Sequence, residues 1–236
     1  PEARIVDISH KIEKFDIRMG AFVLASATPY FPSGTIHVAV VDPGVGTKRR
    51  PIIVETKRNS YVGPDNGLLM LAAQKEGISH VYHVNNPQYM LPQISRTFHG
   101  RDVFAPVAAY LAEGTNPSEF GPEIHDYLFP EFANLLVRKG ELFGEVLHID
   151  DFGNVVSNIS VADLEKLGIR EGRSLSVKLG GKMLTLKLCS AYGEVAAKTP
   201  LAIIGSSDFL EVAVNQGDAS RMFKVKVGDP VCVSSA

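Results

Sequence analysis

The stretch Val40-Val41-Asp42-Pro43-Gly44-Val45-Gly46-Thr47-Lys48-Arg49-Arg50 carries a carboxylate out of an apolar run and straight into a glycine-rich turn that ends in two arginines. In open α/β sheets ligands bind beyond the carboxyl ends of strands, so a strand ending in Asp42 delivers an acid to that edge. Gly44 and Gly46 let backbone amides come close to a ligand. The same residues also spell a plain Pro-Gly turn with solvated arginines, and spacing alone leaves both readings open. No Gly-Lys-Ser/Thr ending follows, which argues against a nucleoside-triphosphate loop. In Thr97-Phe98-His99-Gly100-Arg101-Asp102, His99 stands just before an amphipathic helix. A neutral imidazole at a helix start can orient a water or accept a proton. The plainer alternative is a capping histidine, with Arg101 and Asp102 as a first-turn charge pair. Asp7 and His10 could join Asp42, His99 and Asp102 around a metal, but the spacing of a tight metal motif is absent, so no metal is expected. His37 and His148 read as core or surface histidines.

The later half has two further stretches of polar interest. Asp150-Asp151-Phe152-Gly153-Asn154-Val155-Val156-Ser157-Asn158 sets an aromatic, a glycine and an amide at a strand junction. An exposed Phe152 can stack on a base, and Asn154 can pair with an adenine edge through its two-sided amide; an Asx-type turn with a core Phe is the alternative. Gly205-Ser206-Ser207-Asp208 is a hydroxyl-rich turn leading into Phe209-Leu210-Glu211-Val212-Ala213-Val214-Asn215, able to hold a polar ligand group or simply to be a loop.

The elements that must position these residues follow from periodicity. Arg4–Ile8 is a short β-branched run. Ile17, Ala21, Leu24 and Thr28 recur at helical spacing behind a cap at Asp16. Residues 35–41 read as a strand covered on both faces. Strands follow at 51–54, 61–62 and 81–84, with helices over 66–75, stopped by Gly77, and over 102–111, ended by Gly114. This alternation predicts an α/β sandwich domain with a mixed, mostly parallel sheet over residues 1–139. After Lys139-Gly140 the segments shorten. Leu175, Val177 and Leu179 alternate with polar residues, Gly180-Gly181 follows, and Leu184, Leu186 and Leu188 alternate again, which is a two-residue hairpin. Strands at 201–204, 209–214 and 231–233 complete a smaller, antiparallel β-barrel domain over residues 140–236. The stretch 116–132 reads as an ordered connector.

Bulk composition sets the outer limits. With 236 residues, 45% hydrophobic and 21% charged, the chain can bury a core without disulfides or a structural metal. A net charge of −2 lacks the basic surplus of a nucleic-acid binder. No apolar run approaches the ~20 residues of a membrane span, and no signal-peptide pattern opens the chain. Cys189 and Cys232 read as unpaired thiols in a reducing compartment, so a soluble, cytoplasmic protein is expected.

Six motifs in order then carry a resemblance: Val-Asp-Ile-Ser-His (6–10), Val-Asp-Pro-Gly-Val-Gly-Thr-Lys-Arg-Arg (41–50), Gly-Pro-Asp-Asn-Gly-Leu-Leu (63–69), Thr-Phe-His-Gly-Arg-Asp (97–102), Ile-Asp-Asp-Phe-Gly-Asn-Val (149–155) and Gly-Ser-Ser-Asp-Phe-Leu-Glu-Val-Ala-Val-Asn (205–215). The chain resembles the S-adenosyl-L-methionine hydroxide adenosyltransferases, adenosine-forming hydrolases related to fluorinase and chlorinase. The resemblance implies displacement at C5′ of the adenosyl group by water or hydroxide, releasing adenosine and L-methionine without a cofactor. It also implies a homotrimer with active sites between subunits. By motif position it puts the nucleophile-holding set on Asp42, Arg49 and His99. Nucleoside and methionine binding fall on Asp150, Phe152 and Asn154, then Ser206, Glu211 and Val214, with Tyr192 added. Asp42 with Gly100 implies water rather than halide as nucleophile. Family members open with a strand ending in Thr-Asp-Phe-Gly, whose Asp is expected to hold the ribose. The sequence given starts at Pro1 and does not include that segment, so a full ribose site is not expected from these residues alone. An adenosine or S-adenosyl-L-methionine sensor with the same pocket, and a metal-dependent phosphoesterase using Asp7, His10, Asp42 and His99, are the competing expectations. Asp42→Ala and His99→Ala are expected to fold, bind substrate and lose most turnover.

Overall fold

The computed structural model describes residues 3–236, which divide into two units, one reaching to Pro130 and the other spanning Glu131–Ala236. In the first unit, α1 (Ile17–Ala27) begins where Asp16 Oδ1 accepts the Met19 N–H at 2.8 Å, the N-cap that the sequence predicts. Four strands follow, β1 (Ile36–Val38), β2 (Pro51–Thr56), β3 (Ser60–Pro64) and, after α2 (Met70–Glu76), β4 (Ile78–His83). Gly77 stops α2 with φ of 81°. The sheet order is β1-β3-β2-β4.

Only β1 and β3 pair in parallel; β2 is antiparallel to both β3 and β4, so the sheet is mixed but not mostly parallel. The reason is connection length. Only residues 57–59 separate β2 from β3, and a parallel pair needs a crossover of about a dozen residues. Two further expectations yield to edge effects. Residues 4–8 join no ladder, and Ile5 stands 87% exposed. The run 35–41 shortens to the three residues of β1, at a sheet edge, with Val38 and Val40 exposed. His37 is a core histidine, stacked 5.0 Å from Tyr61 and edge-on to Phe31 at 5.3 Å.

The helix expected over 102–111 starts earlier and wider. A π-turn spans Gly100–Phe104 and leads into α3 (Ala105–Ala112). Its buried face, Val103, Phe104 and Val107, packs with Ile53, Val62, Val84, Tyr89 and Phe120 as the core on that side of the sheet. The connector is ordered: Asn116 caps the 3-10 turn Pro117–Phe120, and Phe120 is fully buried.

The second unit runs β5 (Leu136–Arg138), β6 (Glu141–Ile149), β7 (Val155–Ser160), α4 (Val161–Lys166), β8 (Ser174–Leu179), β9 (Lys182–Cys189), β10 (Pro200–Ile204), β11 (Phe209–Val214), α5 (Ala219–Phe223) and β12 (Pro230–Ser235). Strands β12-β8-β9-β10-β11-β7-β6 are successive neighbours, and β6 pairs back to β12, closing a seven-stranded barrel. β5 adds outside the ring on β6, which carries residues 131–139 into this unit. The barrel is not wholly antiparallel: Ala202 of β10 lies parallel and opposite Leu188 of β9, because segment 190–199 brings the chain back before β10 starts. Gly180 (φ 56°) and Gly181 (φ 73°) form the predicted hairpin turn between β8 and β9. Leu175, Val177 and Leu179 point inward with Leu186 and Leu188. Cys189 is buried, Cys232 half-buried, and both are free thiols whose pKa burial raises. Among the described residues no helix is long and apolar enough to cross a membrane.

Candidate active site

In the first unit the three residues marked by the sequence meet. Arg49 Nε donates to Asp42 Oδ1 at 3.0 Å and Arg49 Nη2 donates to Asp42 Oδ2, a two-pronged pair. The same Nη2 lies 3.1 Å from His99 Nδ1. A guanidinium can only donate, so Nδ1 accepts and a neutral His99 carries its proton on Nε2. The two charged side chains are sunk, 5% exposed for Asp42 and 6% for Arg49, and Arg49 lies 5.3 Å from the centre of the Phe104 ring. Burying such a pair is tolerable because each charge has the other and the fork geometry is met. Arg49 Nη1 is buried with no protein partner. A buried charged donor without an acceptor is costly, and here it offers a hydrogen bond to an added oxygen.

Two loops hold this arrangement. The turn from Asp42 to Arg49 closes on Val45 N–H to Asp42 carbonyl (3.3 Å) and Thr47 N–H to Gly44 carbonyl (3.2 Å). Gly46 has φ of 74°, and a Cβ there would overlap the Arg96 carbonyl of the loop leading to His99. Asp102 is fully buried. Its Oδ1 accepts from Arg101 Nε at 2.6 Å and its Oδ2 from Ser95 N–H at 2.8 Å. These bonds, Arg101's first, hold its pKa down at about 2. Asp102 is therefore a loop anchor and more than a first-turn charge pair. An added Cβ at Gly100 would meet only ordinary van der Waals contacts with Phe98 and Val40, so packing does not demand a glycine there. A cleft of about 380 Å³ opens beside Asp42, lined also by Ser9, His10, Phe15 and Val40.

The metal reading gains nothing from these positions. Asp7 pairs with His10 at 3.3 Å on an exposed segment, and among the described residues no three His, Cys, Asp or Glu side chains gather to share an ion.

In the second unit, Asp150 organises the turn between β6 and β7. Its Oδ1 accepts from Phe152 N–H at 3.0 Å and Asn154 N–H at 2.8 Å, and its Oδ2 from Asn154 Nδ2 at 2.8 Å. Gly153 (φ 83°) leaves no room for a Cβ beside the Asp218 carboxylate. Phe152 stands 79% exposed, not in the core, and Asn154 is buried. Tyr192 Oη donates to Glu211 Oε2 at 3.3 Å. Burial and Glu211's charge push the Tyr192 phenol up to about 12, and burial raises the Glu211 carboxyl, with Asp150's charge adding to it. The Glu211 carboxylate lies where a side chain on Gly205 would be, which ties the 205–208 turn to it. Ser206 is exposed on that turn. The Val214 side chain packs in the barrel core, so only its backbone is available to a ligand. A hollow of about 670 Å³ beside the Gly180-Gly181 hairpin is lined by none of Asp150, Asn154, Tyr192 or Glu211 and is not the polar site.

The motif Gly63–Leu69 carries no role that its sequence alone reveals. Its Asp65 and Asn66 turn out to bond the chain on either side of the Asp42–Arg49 turn. Two adjacent polar residues between a strand and a helix were the available signal.

The chain has relatives among known proteins. Residues 1–121 match the model of the SAM hydroxide adenosyltransferase N-terminal domain, and residues 144–232 that of its C-terminal domain. A Thermus thermophilus protein named (R)-S-adenosyl-L-methionine hydrolase is 38% identical, over 98% of this chain and 88% of that one. A Nocardia brasiliensis fluorinase is 30% identical over 99% of this chain and 87% of its own. A solved structure of an uncharacterised conserved protein from Thermotoga maritima superposes with a TM-score of 0.85 at 37% identity, covering 99% of this chain and 90% of that one.

Proposed function

The chain belongs to the SAM hydroxide adenosyltransferase family, and we propose that it hydrolyses S-adenosyl-L-methionine to adenosine and L-methionine with Asp42, Arg49 and His99 holding the attacking oxygen. The observation that carries this reading is the buried fork of Arg49 on Asp42, with His99 on the same guanidinium and Nη1 left over as a donor. The sulfonium makes methionine a neutral leaving group, so the reaction calls for no general acid and no cofactor. The difficulty is the nucleophile. Water attacks C5′ as the C5′–S bond breaks, the bonding pair goes to sulfur, and the proton leaves toward Asp42. Arg49 takes one lone pair on each Asp42 oxygen and leaves others to accept from water. Nη1 and the His99 Nε2–H are the donors that hold the oxygen in line. Such positioning supplies rate by removing the entropy of encounter, and an acid–base group adds ~10²–10⁴-fold.

The second unit contributes binding. Phe152 offers an exposed face for the base and Asn154 an amide for its edge, while Asp150, Tyr192, Ser206, Glu211 and the Val214 backbone hold the rest of the substrate. A homotrimer, in which a neighbouring copy completes each site, is part of this proposal, as is a cytoplasmic location, which two unpaired thiols suit. The test is to incubate purified protein with S-adenosyl-L-methionine and chromatograph the mixture. Adenosine and methionine in equal amounts are expected; intact substrate recovered from the protein would make it a binder and not an enzyme.

A further inference from the structure

The turn bearing Asp42 and Arg49 is gripped at both flanks by two consecutive residues of another loop. Asn66 Nδ2 donates to the Val41 carbonyl at 2.9 Å while Asn66 Oδ1 accepts the Leu68 N–H at 3.1 Å, so only one orientation of the amide satisfies both bonds. Val41 directly precedes Asp42. Asp65 N–H donates to the Arg50 carbonyl at 2.8 Å, and Asp65 Oδ2 accepts from Arg50 Nε at 2.9 Å and Nη2 at 2.7 Å. Arg50 directly follows Arg49. The grip is itself anchored: Asp65 Oδ1 accepts the Leu128 N–H at 2.8 Å, and Arg50 Nη1 reaches Asp126 at 2.8 Å.

The turn between these points is closed by two backbone bonds, of 3.2 and 3.3 Å, and by Thr47 Oγ1, which donates to the Gly44 carbonyl at 2.7 Å and accepts the Arg49 N–H at 3.3 Å; none of these ties the backbone of its two ends together. Left to itself it would let the ends drift, and a catalytic constellation tolerates about 0.5 Å of error. We propose that Asp65 and Asn66 form a positioning pair that sets the register of Asp42 against Arg49, so that the fork forms with Nη1 and His99 aimed at the nucleophile. The pair touches no substrate and acts only through the groups it holds. Its catalytic consequence rests on the hydrolase reading above.

Asn66→Asp removes the donor to Val41 and keeps the acceptor for Leu68. It is expected to lower kcat per folded molecule by about 10²-fold, the scale of an ångström misplacement, with KM close to wild type and Tm lowered by the carboxylate oxygen that then faces the Val41 carbonyl. Asp65→Asn, which retains an acceptor for Leu128 but weakens the hold on Arg50, should act in the same direction and less. Amide exchange in the peptide spanning 42–50 should quicken in both variants. A merely structural role would lower Tm while leaving kcat per folded molecule unchanged. Wild-type kcat in folded Asn66→Asp, or a loss appearing wholly in KM, overturns the pair. Should Asn66→Asp fail to fold, Asp65→Asn carries the same test. A wild-type protein that yields no adenosine would instead sink the hydrolase reading, and exchange at 42–50 would then decide the pair by itself.

Discussion

The polar groups of the first unit and those of the second are held in opposite ways. Asp42 and Arg49 are buried, forked together and braced by loops on both sides, so their geometry exists before any ligand arrives. Around Asp150 the carboxylate instead serves its own turn, Phe152 projects into solvent, and Tyr192 is 41% exposed over Glu211. Fixed charge in a dry setting stabilises what develops during reaction, because nothing has to reorganise at that moment. An exposed aromatic and a loosely bonded phenol gain only when a substrate covers them, which is binding. On the proposed reading, turnover falls to the first cluster and affinity to the second.

The strongest way to break that division is Asp42→Asn, which keeps the shape and one acceptor for Arg49 but removes the proposed base; because it too leaves the buried Arg49 charge uncompensated, turnover is read per folded molecule. We expect kcat to fall ~10²–10⁴-fold with little change in KM, read from steady-state adenosine release. A fall of less than about tenfold would take the base role from Asp42. Asp42→Ala is a poorer probe than the sequence alone promises. It strands the buried Arg49 charge and should cost ~3–5 kcal/mol in urea unfolding, so normal folding is not expected of it. Next in size is Tyr192→Phe, which deletes the hydroxyl on Glu211. KM should rise by about fivefold, the worth of roughly 1 kcal/mol of hydrogen bond, with kcat unmoved. A loss in kcat alone would erase the distinction between the clusters.

The smallest effect tests the brace behind His99. Asp102 titrates at about 2 in the folded chain against an ordinary 3.8, so it contributes stability that is complete above about pH 4 and drains away as pH falls toward 2. Thermal melts of Asp102→Asn should lie below wild type at neutral pH and converge with it in acid. A constant offset across that range would mean that the Arg101 and Ser95 bonds are not the source.

What the sequence made legible follows from where local chemistry dominates. The Asp16 cap, the Gly180-Gly181 hairpin, the Gly77 stop and the alternating barrel strands are decided within a few residues, and they stand where periodicity put them. Strand direction is decided by partners far along the chain, so β2 running against β3 and β10 running with β9 escaped a reading by pattern. The same holds in the site. Asp42 and His99 stood out as candidates by type and by glycine neighbours, and the family resemblance joined Arg49 to them. Val41's carbonyl gave no sign that it meets Asn66, and Asp102 no sign that it meets Ser95, because such bonds join loops that share no pattern.

Gly46 shows how little slack the first cluster has. With no side chain there, the two loops that bring a guanidinium to an imidazole lie backbone to backbone against the Arg96 carbonyl. One methyl group at this point would wedge the loops apart and separate Arg49 from His99 without removing an atom from either. The width of a single hydrogen therefore sets how many sequences along this stretch can remain competent.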